Sequence, residues 1–129
     1  MNHNVHKRDR ARRLLESGNV GEALSLLEQN IKESPTDIDS IYLSGICCAR
    51  SGKYASAEKY FRKTVQINKD MFHAYTDLGL LQSRQRKFSE AIKSFKKSLE
   101  INPAFAPAHS NIALVYLQTH EARKALKHA

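Results

Sequence analysis

Residues 72–105 read FHAYTDLGLLQSRQRKFSEAIKSFKKSLEINPAF, and the 34 residues before them, 38–71, read IDSIYLSGICCARSGKYASAEKYFRKTVQINKDM. Laid over one another, the two stretches place Gly45 on Gly79, Ala57 on Ala91, Phe61 on Phe95 and Val65 on Leu99. The same shift carried outward brings Ala11 and Ala113 into the glycine column, Ala23 and Ala125 into the alanine column, and Leu27 and Ala129 into the phenylalanine column. A turn column runs Gly18, Gly52, Arg86, His120, and proline closes two units at Pro35 and Pro103, with Lys69 in that place between them. A fixed period of this length marks an architecture built from repeats. The spacing predicts two short amphipathic helices per unit, about 38–51 and 54–67 in the second, with Tyr60, Phe61, Thr64 and Val65 at helical intervals. Neither helix buries its apolar face alone, so stability comes from stacking one unit on the next.

The third unit carries Tyr75-x2-Leu78-Gly79-x2-Gln82, then Ala91-x3-Phe95, then Pro103; the second carries Ile41-x2-Ser44-Gly45-x2-Cys48, then Ala57-x3-Phe61. These columns resemble the tetratricopeptide repeat, whose unit reads W-x2-L-G-x2-Y, A-x3-F and P. The resemblance spans nearly the whole chain. It implies an all-α, right-handed superhelical solenoid of antiparallel helix pairs, a single domain over 1–129 with repeats at about 4–37, 38–71 and 72–105 and a partial fourth at 106–129. That fourth unit is expected to turn at His120 and to break off at Ala129 within its second helix. Gly45 and Gly79 are expected to let backbones approach, and Phe61 and Phe95 to fill the layer between units. Lys7 and Arg10 stand where large apolar residues belong, so the outer side of the first helix reads as a water-facing N-terminal end.

Composition agrees. With 129 residues, 41% hydrophobic and 26% charged, the chain can build one modest core but not two independent domains. No apolar run reaches membrane-spanning length, and the opening MNHNVHKRDRARR has no apolar stretch behind its charges, which argues against a secreted or membrane-embedded protein. Five glycines, three prolines and no tryptophan are too few turn punctuators for an all-β sandwich. Cys47 and Cys48 are neighbours, too strained for an ordinary disulfide on a helix; two reduced, packed thiols suit a reducing cytoplasm. The formal charge is +8, half of it within residues 1–13.

Catalytic signatures fail on inspection. His120-Glu121 begins like H-E-x-x-H, but Lys124 holds the second histidine's place; Ser94 and Lys97 match S-x-x-K only by spacing, on a lysine-rich face. No glycine-rich phosphate loop is present, and no cofactor, metal site or catalytic residue is expected. A free terminus at Met1-Asn2-His3 has the spacing to chelate Cu²⁺ or Ni²⁺, although a polar, disordered terminus is the plainer reading.

What remains is surface. The resemblance implies that the first helices of successive units line a concave groove holding a peptide or helix of a partner protein. In this chain the groove would include Ile46, Leu80 and Leu114, with Tyr42, Thr76 and Ser110 beside them, Asp77 and Asn111 next to these, and Arg50 and Arg84 at the rim. The alternative for the leucine register is half-burial between neighbouring first helices. The carboxylate clamp that some members use for chaperone tails would fall on Arg8, Arg12, Leu43, His73 and Asp77; Leu43 removes a donor and Asp77 repels a carboxylate, leaving Arg8 and Arg12 as anion holders. The asparagine ladder of O-linked N-acetylglucosamine transferase would fall on Asp9, Leu43, Asp77 and Asn111, and only the last matches. Lys59, Arg62 and Lys63 recur as Lys93, Lys96 and Lys97 on the outer face without interleaved aromatics, which argues against a nucleic-acid platform. The sequence therefore reads as a non-enzymatic protein-interaction scaffold without a membrane span, self-associating through an apolar patch of Tyr116, Leu117 and Leu126. The alternative is the N-terminal substrate-recruiting domain of a larger enzyme such as a glycosyl- or sulfotransferase.

Overall fold

The computed structural model describes residues 3–127, with side chains from 6 to 121 and at 123. Seven helices and no strand occur among the described residues: α1 (His3–Glu16), α2 (Val20–Glu33), α3 (Ile38–Arg50), α4 (Tyr54–Ile67), α5 (Phe72–Arg84), α6 (Phe88–Ile101) and α7 (Ala106–Lys127). The chain divides into two compact units, residues 1–69 with α1–α4 and residues 70–129 with α5–α7.

Three of the four positions in the turn column build the same motif. Gly18, Gly52 and Arg86 have φ of 86°, 76° and 61°, the left-handed region in which glycine carries no Cβ penalty. At each, the following amide reaches back to close the helix: Asn19 to the Leu14 carbonyl at 2.7 Å, Lys53 to Cys48 and Lys87 to Gln82, both at 2.8 Å. The turn residue itself bonds three residues back, to Leu15, Ala49 and Ser83, completing a Schellman cap. The second helices end alike whether proline follows or not. Ser34 before Pro35, Asn68 before Lys69 and Asn102 before Pro103 each donate to the carbonyl four residues back, at 2.8, 2.9 and 2.9 Å.

The fourth turn, expected at His120, does not form. α7 continues through it as one helix of 22 residues. The segment Gln118-Thr119-His120-Glu121-Ala122-Arg123 has neither glycine nor proline, so each added residue gains a helical bond without a reason to leave the helix. Thr119 turns its hydroxyl back to the Val115 and Tyr116 carbonyls at 3.1 and 2.9 Å, keeping its polar group within the helix.

In unit 1 the core gathers Ala23, Leu27, Ile41, Ala57 and Phe61, all buried. The small column does something other than bring backbones together. A Cβ built on Gly45 would stand 2.6 Å from Phe61 Cε1, so the glycine makes room for a ring from the other helix of its own pair. Unit 2 repeats the device: a Cβ on Gly79 would stand 2.6 Å from Phe95 Cε1, and Phe95 also packs with Ala91 of α6 and Val115 of α7.

A polar cluster fastens α1 in unit 1. Asp37, at the N-terminal boundary of α3, accepts from Arg8 Nη1 at 2.7 Å, from Asn30 Nδ2 at 2.8 Å and from Ser40 Oγ at 2.7 Å. Arg8 also lies 3.4 Å from Asp39, and Lys7 pairs with Glu33 at 2.8 Å. Lys7 is thus half-buried against α2, whereas Arg10 faces water as expected.

Candidate functional site

A recess able to hold a ligand lies within unit 2, between α5 and α7. Leu80, Ser83 and Arg84 approach from α5 at helical intervals of three and four; Asn111, Leu114, Val115 and Gln118 approach from α7 at intervals of three, four and seven. Phe95 of α6 is buried beneath them, and the cleft encloses about 320 Å³. Leu80 and Leu114 are 38% and 50% exposed, which is high for leucine at facing positions. A wider hollow of about 650 Å³ shares Ser83, Arg84 and Gln118 and adds Arg86, Phe88, Leu117 and Glu121. There the Arg86 guanidinium lies 5.6 Å from the Phe88 ring centre, a cation-π distance that steadies one positive charge at the rim. The arrangement is two leucines over an aromatic floor, bordered by amides and arginines. It can hold an apolar side chain and orient polar groups around it; it has no nucleophile and base in contact.

Of the twelve residues the sequence nominates, this cleft unites Leu80, Arg84, Asn111 and Leu114. Thr76 is a correction: it is buried, with its hydroxyl 2.8 Å from Ser98 Oγ, which in turn donates to the Phe72 carbonyl at 3.0 Å, so it joins α5 to α6 and lines no groove. The same register puts the Tyr42 ring 5.8 Å from that of Phe61, half-buried between α3 and α4, while Ser110 is exposed on α7 away from the cleft. Arg8 is occupied by Asp37 and Asp39, whereas Arg12 is exposed on α1. Ile46 and Asp77 are half-buried. Arg50 extends to the Leu15 carbonyl at 3.5 Å, the long limit of a hydrogen bond.

Sequence reasoning missed Ser83 and Gln118 at the rim and Phe95 and Val115 in the floor. The first pair was accessible from spacing, because Ser83 is three residues from Leu80 and Gln118 four from Leu114.

The remaining chemical candidates are quiet. Burial pushes the Cys47 thiol up to about 11, with a negative charge on Cys48 acting the same way and Arg50 opposing; burial also raises Cys48, and Tyr60 likewise. A thiol so shifted holds its proton and is a poor nucleophile. Met1 and Asn2 of the terminal chelate lie outside the described residues. Among the described residues no three His, Cys, Asp or Glu side chains are grouped as metal ligands, and no helix is long and apolar enough to cross a membrane. Lys59, Arg62 and Lys63 on α4, and Lys93, Lys96 and Lys97 on α6, are exposed, with Arg62 3.6 Å from Glu58 and Lys97 3.3 Å from Glu100.

Fold and recess together define a repeat protein of stacked helix pairs. The sequence profile of the tetratricopeptide repeat matches residues 37–104, more than half the chain, and the protein belongs to the tetratricopeptide repeat family. No curated protein sequence matches the chain. Solved structures do. The first TPR domain of Spaghetti (RPAP3), bound to the HSP90 peptide SRMEEVD, is 19% identical with a TM-score of 0.87 over 91% of this chain and 93% of that one. The second TPR domain of human RPAP3, in complex with the HSP70 peptide SGPTIEEVD, is 17% identical with a TM-score of 0.82 over 87% and 93%. MamA from MSR-1 is 28% identical with a TM-score of 0.78 over 95% and 70%.

Proposed function

We propose that this protein is a non-enzymatic interaction scaffold that captures a peptide or helix of a partner protein in the cleft between α5 and α7. One observation carries the reading: Leu80 and Leu114 stand exposed over a floor of Phe95 and Val115, within a border of Arg84, Asn111 and Gln118. An apolar side chain entering there would remove both leucines from water while the border fixes its direction. The peptides held by the two RPAP3 domains support a peptide as the ligand class. Capture of a terminal carboxylate does not carry over. Of the clamp positions, Arg8 is committed to Asp37, Leu43 is apolar, and the His73 ring packs against Phe72 and Phe105 at 4.3 and 5.0 Å. The ligand is therefore an internal segment anchored by an apolar side chain, and buried thiols suit such a scaffold to a reducing compartment.

Leu114→Asp and Leu80→Asp test the assignment against Lys96→Glu on the exposed face of α6. A carboxylate facing the apolar anchor costs several kcal/mol, and each ~1.4 kcal/mol is tenfold in affinity. Affinity capture should lose its partners with either leucine variant and keep them with Lys96→Glu, with circular dichroism unchanged throughout. Partners that survive Leu114→Asp but are lost with Lys96→Glu would move the site to the basic face.

A further inference from the structure

We propose that the segment captured between α5 and α7 carries an acidic side chain near its apolar anchor, and that Arg86 is the residue that selects it. The inference rests on the reading of that cleft as a peptide site and adds a chemical requirement to it. It begins from a backbone conformation that the turn alone does not explain. Among the described residues three have positive φ; two are glycine, Gly18 and Gly52, and the third is Arg86 at 61°. A side chain is disfavoured in this region, and the turn gains nothing from a guanidinium. Its capping bonds, from the Arg86 amide to Ser83 and from the Lys87 amide to Gln82, are made by backbone groups alone. A strained residue kept where glycine would serve points to what its side chain does.

That side chain reaches the hollow adjoining the cleft. Phe88 packs against Ala91, Phe95 and Val115, the cluster that includes the cleft floor, so its ring is anchored from below. The Arg86 guanidinium lies 5.6 Å from the centre of that ring and is positioned while staying exposed. Among the described residues no carboxylate lies within ion-pair distance of it. The charged residues lining the cleft and the hollow are Arg84, Arg86 and Glu121. The two arginines sit at the end of α5 and in the turn after it, and Glu121 lies on α7, so an anionic group is drawn to the α5 side. Spacing then sets the pattern. Arg86 follows Leu80 by six residues, roughly 9 Å along α5 at the helical rise. A segment anchored over Leu80 and Leu114 covers that distance in about three residues if extended and about six if helical. The occupant is an acidic peptide whose Asp or Glu stands three to six positions from the buried apolar residue.

Random peptides displayed on phage and panned on the full chain are the probe. Binders should share an apolar residue with Asp or Glu three to six positions away, and Leu114→Asp should lose them. Arg86→Gly should weaken a synthetic copy of a binder about fivefold. Its melting temperature should stay at or above the parent's, because glycine suits the turn; an arginine with a merely structural role would lower it on removal. Replacing the peptide's acid by its amide should lose the same factor on the parent protein and nothing further on Arg86→Gly. Lys96→Glu removes more net charge than Arg86→Gly and should leave affinity within about twofold, since it lies outside the lining. Binders that need Leu114 but show no enrichment of acid, or that ignore Arg86→Gly, overturn the inference and leave the cleft reading standing. An equal loss with Lys96→Glu also overturns it, by assigning the preference to net charge. Binders indifferent to Leu114→Asp, or a library without binders, remove the cleft reading and this inference with it.

Discussion

The pairs α3·α4 in unit 1 and α5·α6 in unit 2 share one steric device and differ in the chemistry around it. Both set a phenylalanine ring into the space above a glycine, Phe61 on Gly45 and Phe95 on Gly79, with the same 2.6 Å approach to the absent Cβ. In unit 1 the half-buried Tyr42 ring lies 5.8 Å from the Phe61 ring, and α3 also buries Cys47 and Cys48. Unit 2 instead closes hydrogen bonds, Ser94 to Gln82 at 2.6 Å, Thr76 with Ser98 at 2.8 Å and Ser98 to the Phe72 carbonyl at 3.0 Å. The lesson is that the repeat specifies shape at one column and tolerates soft thiols or paired hydroxyls elsewhere in the same helix pair.

The shared device should dominate stability. Phe61→Ala and Phe95→Ala should each cost about 3–5 kcal/mol in urea unfolding, by similar amounts. A large inequality would mean that one ring is not the centre of its pair. Gly45→Ala and Gly79→Ala should come next. Alanine ordinarily gains about 1 kcal/mol over glycine inside a helix. Here the added methyl meets a packed ring, and overpacking of about 1–3 kcal/mol outweighs the gain. Melting curves that rise on substitution would show that the ring has room to move.

The difference between the pairs gives smaller effects. Ser94→Ala leaves Gln82 Oε1 without its donor in a buried place and should cost about 2 kcal/mol, whereas Cys48→Ala in the glutamine column of unit 1 should cost about 1. Equal losses would mean that water replaces Ser94. A last effect appears only at alkaline pH and is carried by the thiol pair together with Tyr60. Cys47 is raised from 9.0 to about 11, so the unfolded thiol ionises first. Its contribution is complete below pH 9 and is lost as pH rises from 9 to about 11. Unfolding midpoints across that window should fall in the parent protein and fall less steeply in Cys47→Ala/Cys48→Ala, with Tyr60 carrying the remainder; an unchanged slope would place the titration elsewhere.

The helix pairs were legible because their signals are local or strictly periodic. The 34-residue columns gave the helices, the buried alanines and the first three turns, and the caps at Gly18 and Gly52 follow from glycine's freedom at positive φ. The groove was half legible. The register holding Leu80 and Leu114 led to the cleft, but the neighbouring register through Thr76 belongs to the interior of its helix pair. The two registers are four residues apart, only about 40° around a helix, too little for periodicity alone to separate.

What the sequence by itself determined is the repeat: its period, the helix pairing, and which columns hold small residues. Those follow from excluded volume and helix periodicity, which act on each column separately. Only the tertiary structure decided which side chains were consumed by one another. Arg8 looked available for an anion until Asp37 and Asp39 were placed beside it, and Thr76 looked like groove surface until Ser98 came within hydrogen-bond reach. It also decided that α7 passes straight through His120, because the preference between helix and left-handed turn at a residue other than glycine is too small for local sequence to fix.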